Sequence, residues 1–183
     1  MTRTPTPGQT IGPFFHDALP YDGGQELVPP GRPDAILLYG HVWDGDGDPV
    51  HDALLEIWQA DAAGHISRSP GSLRRDGHTF TGWGRAATDN TGRYAFTTVW
   101  PGRVDVGRPP YIALTVFARG LLNRLFTRIY LPDDDHAADP LLAALPEERR
   151  RTLVATQDTA GLRFDVRMQG EGETVFLRYP EYP

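Results

Sequence analysis

The chain contains no cysteine. That absence excludes disulfides, thiolate metal sites and cysteine nucleophiles, and it suits a reducing, cytoplasmic setting. Lysine is missing as well, so all eighteen basic residues are arginines. Base composition of the genome accounts for this globally, yet each arginine still offers a planar fork suited to carboxylates. Positive charge is in short supply: 24 acidic residues outweigh the arginines and leave a net charge of -6. Such a balance argues against nucleic acid as the main partner. No run approaches the roughly 18 apolar residues of a membrane span, and no basic segment followed by an apolar one opens the chain. A soluble, unexported protein is expected. What is present is a folding composition, 39% apolar and 10% aromatic over 183 residues, with 20 glycines and 17 prolines for turns. That length accommodates one domain with a proper core.

The dominant hydrophobic period is two rather than 3.6. Strands are predicted over Ile36–Trp43, Ala53–Gln59, Tyr94–Val99, Tyr111–Ala118, Leu125–Leu131, Leu162–Met168 and Thr174–Arg178. Short strands punctuated by Gly, Pro and Asp predict an all-β fold, a sandwich of mainly antiparallel strands with long loops. Helical patterning is confined to Asp139–Leu145 and to Pro146–Val154, the latter with Pro146 at a plausible first helical position. A single domain over 1–183 is expected, with 1–35 as an extended N-terminal arm. Within that arm, residues 9–16 hold an apolar knot, Ile11, Gly12, Pro13, Phe14 and Phe15, unusual so near a chain end.

Most chemical motifs fail on inspection. Asp44–Asp48 alternates Asp and Gly, but a calcium loop starting there would have Pro49 at its sixth position and Leu55 at its twelfth. Those positions call for glycine and a bidentate glutamate, so a hairpin turn is the better reading. Residues 170–173 likewise predict a hairpin turn. The six histidines are scattered, with no pair at i, i+2 or i, i+4, so no local metal pair exists. Nucleophile-elbow, P-loop and dinucleotide fingerprints are all absent. One segment survives. Over the strand stretch Arg124–Tyr130, Arg124, Phe126, Arg128 and Tyr130 share a face, and an arginine among aromatics needs an anionic partner. That partner is either an acidic side chain of this chain or the carboxylate of a ligand.

Two blocks carry a resemblance to a known family. Residues 41–64 run from a strand through an Asp-x-x-Gly-x-Pro-Val turn to Ala53-x-x-Glu56-x-Trp58-Gln59-Ala60, and residues 84–96 are followed by Pro101-Gly102. Both resemble the intradiol ring-cleaving dioxygenases. Residues 8–15, 114–134 and 163–177 are similar, more narrowly, to the alpha subunits of the two-subunit, protocatechuate-cleaving branch. Together the blocks span about the whole chain in the right order.

The resemblance implies a β-sandwich and a non-haem ferric ion held elsewhere in the family by two tyrosines and two histidines. The corresponding positions here are Ile66, Val104, Tyr111 and Ala113. Three of these have no donor atom, and ferric iron wants anionic oxygen ligands. The iron is therefore expected in a partner beta subunit, with this chain contributing to an alpha/beta hetero-oligomer. By the same resemblance Thr10, Gly12, Pro13 and Arg128 face the substrate or the interface. The implied activity is O2-dependent opening of an aromatic ring in aromatic catabolism, by the beta-ketoadipate route. A non-catalytic β-sandwich interaction module derived from the same family is the alternative.

Overall fold

The period-two pattern resolves into two packed sheets in the computed structural model, which describes residues 12, 14–68 and 76–179. One sheet is built on β1 (Ala35–Trp43), whose inward residues Leu38, Gly40 and Val42 alternate with half-buried ones. On one side β1 pairs antiparallel with β4 (Arg93–Val99), from Ala35 opposite Val99 to His41 opposite Arg93. On its other side run β8 (Leu162–Arg163) and β9 (Val166–Arg167), both parallel to it, with β7 (Thr156–Gln157) outside β8. The second sheet is wholly antiparallel, in the order β3 (Trp83–Ala87), β2 (Leu54–Trp58), β5 (Tyr111–Phe117), β6 (Leu125–Tyr130). Leu38, Phe96 and Val166 from one sheet and Leu55, Ile112 and Ile129 from the other are fully buried between them. The expected all-β sandwich is what forms.

Several local expectations change. The strand predicted over Leu162–Met168 is two short strands. Between them the Asp165 carboxylate, instead of a backbone carbonyl, accepts the His41 N–H at 2.9 Å. Residues 174–178 form no strand beyond a single bridge, Phe126 to Leu177. This segment is tied to β6 by the Leu177 N–H on Phe126 O (2.7 Å) and the Thr127 hydroxyl on Val175 O (2.8 Å). Strand β3 went unforeseen because its sequence, Trp-Gly-Arg-Ala-Ala, has little β propensity. Asp44–Asp48 is a tight turn, with Asp44 Oδ1 accepting from the N–H groups of Asp46 and Asp48 at 2.9 Å each. It closes a local hairpin, as expected: Trp43 bridges Pro49 antiparallel, Val50 N donates to Val42 O (2.9 Å) and Asp44 N to Asp48 O (3.0 Å), before the chain crosses to β2 in the other sheet. The 170–173 turn has a strand on one side only.

The helices are short: α1 (Phe15–Ala18), α2 (Pro140–Ala143) and α3 (Glu147–Arg151). The proline at a first helical position is Pro140, not Pro146, which is the N-cap of α3. Part of the N-terminal arm packs on this chain's own sandwich. Leu27 N donates to Thr97 O (2.8 Å) and Gly24 O accepts from Arg85 N (2.8 Å), so residues 24–27 reach from β4 to β3 across the two sheet edges. Leu27 and Val28 are buried there, and covering both edges removes the unpaired strand surface that would otherwise face solvent. Phe15 is buried, whereas Phe14 is 71% exposed and anchors nothing within this chain's described residues.

Candidate functional site

The outer face of the second sheet carries a cavity of about 280 Å³. Its floor follows from strand register. Trp58 of β2, Ala113 of β5 and Arg128 of β6 stand in one row across three strands. The short Ala113 side chain between two long ones leaves the hollow. One step along, Tyr111 pairs with Tyr130, their ring centroids 5.8 Å apart.

Two loops supply the walls. After β2 the chain turns at Asp61, whose carboxylate accepts the N–H groups of Ala63 (2.9 Å) and His65 (2.8 Å) and thereby sets the direction of Ile66. Those bonds, the His65 N–H first, hold the Asp61 carboxyl below its ordinary range. The loop after Pro101-Gly102 brings Val104. The two loops touch backbone to backbone: Gly102 N donates to Asp61 O at 2.7 Å. A Cβ on Gly64 would stand 2.1 Å from Arg103 O, and one on Gly102 would stand 2.4 Å from Gly64 N. Only glycine permits that approach. In this way Ile66, Val104, Tyr111 and Ala113, spread over 48 positions of sequence, all line one cavity together with Arg128.

Arg128 is the charged residue on the cavity floor, its side chain 26% exposed, while Asp105, Arg108 and Asp139 also line the cavity. Its guanidinium lies over the Tyr111 ring, 4.1 Å from the centroid, a close cation–π arrangement. Nη1 donates to the Tyr130 hydroxyl at 3.1 Å and stands 3.8 Å from Asp139 Oδ2. Burial works against the Arg128 charge, but Tyr130, Tyr111 and Asp139 more than offset it and its pKa goes up. Burial pushes the Tyr130 phenol up to about 12, against the opposing pull of Arg128. Asp139 is nearly inaccessible and also caps α2, with Oδ1 accepting from Leu141 N (2.8 Å) and Leu142 N (3.3 Å). Both readings of the arginine's partner therefore have a place: an internal acid is present, but beyond hydrogen-bonding distance.

Of the residues expected to face substrate, Gly12 has φ +90 and open space around it, and it is not among those lining the Arg128 cavity. Thr10 and Pro13 lie outside the described residues. Reading the sequence missed Trp58, Asp139 and Tyr179 as cavity residues. The Asp139-Pro140 pair does signal a helix start, but only the fold turns that cap toward β6.

The cavity does not suit a metal. Ile66, Val104 and Ala113 present carbon only, and the one donor of the four, the Tyr111 phenol, sits on a ring covered by a cation. No group of three or more His, Asp or Glu side chains placed to hold a metal occurs among the described residues. Nor, among those residues, is any helix long and apolar enough to cross a membrane. Large apolar side chains stand open around the cavity, Trp58, Ile66, Val104 and Tyr179 each 42–53% exposed, beside the exposed Asp105 and Arg108.

Comparison with known proteins agrees with this architecture. The profile of a family described as Dioxygenase matches residues 11–170. The chain is 42% identical over 195 residues to the protocatechuate 3,4-dioxygenase alpha chain of Burkholderia cepacia, covering 96% of this chain and 98% of that one. To the beta chain from the same organism it is 33% identical over 193 residues, covering 93% and 78%. Among solved structures, the dioxygenase domain of a dioxygenase–carbohydrate-binding protein fusion from Streptomyces sp. SirexAA-E has a TM-score of 0.59 at 26% identity. That match covers 91% of this chain and 99% of the domain.

Proposed function

The chain belongs to the dioxygenase family, and from that premise we propose that it acts as the alpha subunit of a protocatechuate 3,4-dioxygenase. In this reading it pairs with a beta subunit that carries a non-haem ferric ion. The pair cleaves protocatechuate between its two hydroxyl-bearing carbons, adding both atoms of O2, to give 3-carboxy-cis,cis-muconate. The observation that carries the assignment is a cavity in which three of the four family ligand positions hold no donor atom. Positions 66, 104, 111 and 113 converge on one site yet supply Ile, Val, Tyr and Ala, in a chain 42% identical to an alpha chain. Bound to the partner, the ferric ion would supply activation of the catecholate for attack by O2.

This chain's own contribution is to shape and charge the pocket. Thr10, Gly12 and Pro13 form one wall beside the partner's substrate, and the Gly12 turn lets backbone approach an aromatic ring closely. Arg128 brings positive potential to an anionic substrate or holds the interface by charge-assisted hydrogen bonds. The exposed apolar rim of the cavity packs against the partner. The assembly works in the cytoplasm, in the catabolism of aromatic compounds.

Expression with and without a beta chain tests the proposal. The co-purified pair is expected to hold iron, stoichiometric with the beta chain, and to consume O2 on adding protocatechuate, whereas this chain alone does neither. One equivalent of iron in the isolated chain would overturn the assignment, as would a beta chain equally active without it. Failure to associate would favour the non-catalytic interaction module.

A further inference from the structure

The arginine in the cavity has more donors than the protein uses. A guanidinium carries five N–H donors in a planar fork. Among the described residues Arg128 spends one of them, on the Tyr130 hydroxyl. Asp139 is 3.8 Å away and its other oxygen is committed to the backbone of α2. One face of the guanidinium is covered by Tyr111. What remains, among the described residues, is a half-buried cation with N–H groups to spare and its one acidic neighbour, Asp139, beyond hydrogen-bonding distance, an arrangement that a bound anion would complete.

The surroundings state what kind of anion. Ile66, Val104, Ala113, Pro109 and Pro110 give the cavity a carbon lining beside Arg128, while the exposed Asp105 and Arg108, 3.7 Å apart, also line it. The volume of about 280 Å³ is at the small end of the roughly 300–1,000 Å³ typical of small-molecule sites, room for one ring. An uncharged ring would leave the spare N–H donors of Arg128 unused. A compact inorganic anion would leave the apolar lining uncovered. A single ring bearing one carboxylate satisfies both halves of the site.

We infer that this cavity is a second, metal-free binding site for a small aromatic carboxylate, held by Arg128 at the carboxylate and by Ile66, Val104 and Ala113 at the ring. The site goes beyond the role given to Arg128 at the partner's substrate, because the cavity belongs to this chain and needs no partner to bind.

Calorimetric titration of the full chain with benzoate tests this. One saturable site per chain is expected. Benzyl alcohol, the same ring without the charge, is expected not to saturate over the same range. Arg128→Gln should weaken benzoate binding about tenfold or more, the scale of a lost charge-assisted pair, and Ala113→Leu should abolish it by filling the floor. Absence of saturable benzoate binding would overturn the inference. So would equal binding of benzyl alcohol, or unchanged benzoate affinity in both variants. If a variant misfolds by circular dichroism, the comparison of the two ligands on the unaltered chain still decides. The outcome is independent of O2 uptake by the alpha/beta pair, so the two proposals fail separately.

Discussion

A methyl group at position 40 would stand 1.8 Å from the carbonyl oxygen of Phe164, far inside contact distance. Gly40 is a buried position in the longest strand, and the space a side chain would fill belongs to the backbone joining β8 to β9. That same carbonyl accepts the Tyr94 hydroxyl at 2.6 Å, and burial pushes the Tyr94 phenol's pKa far up, so it stays a donor. Gly40→Ala forces β8 away from β1 and is expected to cost about 2–3 kcal/mol, the scale of overpacking a core. Tyr94→Phe leaves a buried acceptor without its side-chain donor, for about 1–3 kcal/mol. Urea unfolding of both variants checks this; midpoints equal to the parent's would refute it. In the sequence, Gly40 stands out as a glycine within an apolar β run. Nothing local reveals that a carbonyl 124 positions downstream fills its place. The candidate site has the same character. Arg128 was legible because an arginine among aromatics in a strand needs an anion, but Asp139, Trp58 and Tyr179 reach it only through the fold.

Elements with regular alternation were legible, and those held by individual side-chain bonds were not. The boundaries of β1, β2, β4, β5 and β6 fall within a residue or so of the hydrophobic pattern, because a half-buried strand must alternate. Strand β3 escaped notice because it is stabilised by pairing with β2 and by Leu27 of the arm, which closes over Gly84. The stretch 174–178 has strand composition but no ladder. Helix α2 is the element that couples fold to site. Four residues cannot sustain a helix alone, so α2 depends on the Asp139 cap and on Leu142, buried with Tyr130 and Leu153. Asp139→Asn keeps an oxygen for the cap and removes the charge beside Arg128. Asp139→Ala removes both. The alanine variant is expected to lose about 1–2 kcal/mol more than the asparagine one, the usual value of an N-cap. Thermal denaturation of the pair measures the difference. If the two variants melt together, the cap is not what holds α2 in place.

For the molecule as a whole, the question is why one end of the sandwich is left apolar and open. Four large side chains around the cavity are 42–53% exposed, on a chain whose net charge of -6 favours solubility elsewhere. Isolated exposed hydrophobics are ordinary, but a cluster around one concavity marks an interaction surface. The cavity lies at the end of the β5–β6 hairpin that carries Tyr111 and Tyr130, while Leu122, 62% exposed, lies in the turn at the other end. The two ends supply a test and its control. Ile66→Arg places a charge on the rim at a site already open to water. It should leave the melting temperature of the isolated chain within about 2 °C, as exposed substitutions do. Against a beta chain it should break association, because a desolvated, unpaired arginine is costly at the centre of an interface. Leu122→Arg adds the same charge at the far end and should leave association intact. Co-elution of each variant with the beta chain by size-exclusion chromatography reads the result. An Ile66→Arg chain that still co-elutes, or a Leu122→Arg chain that does not, would place the partner on a different face of the sandwich.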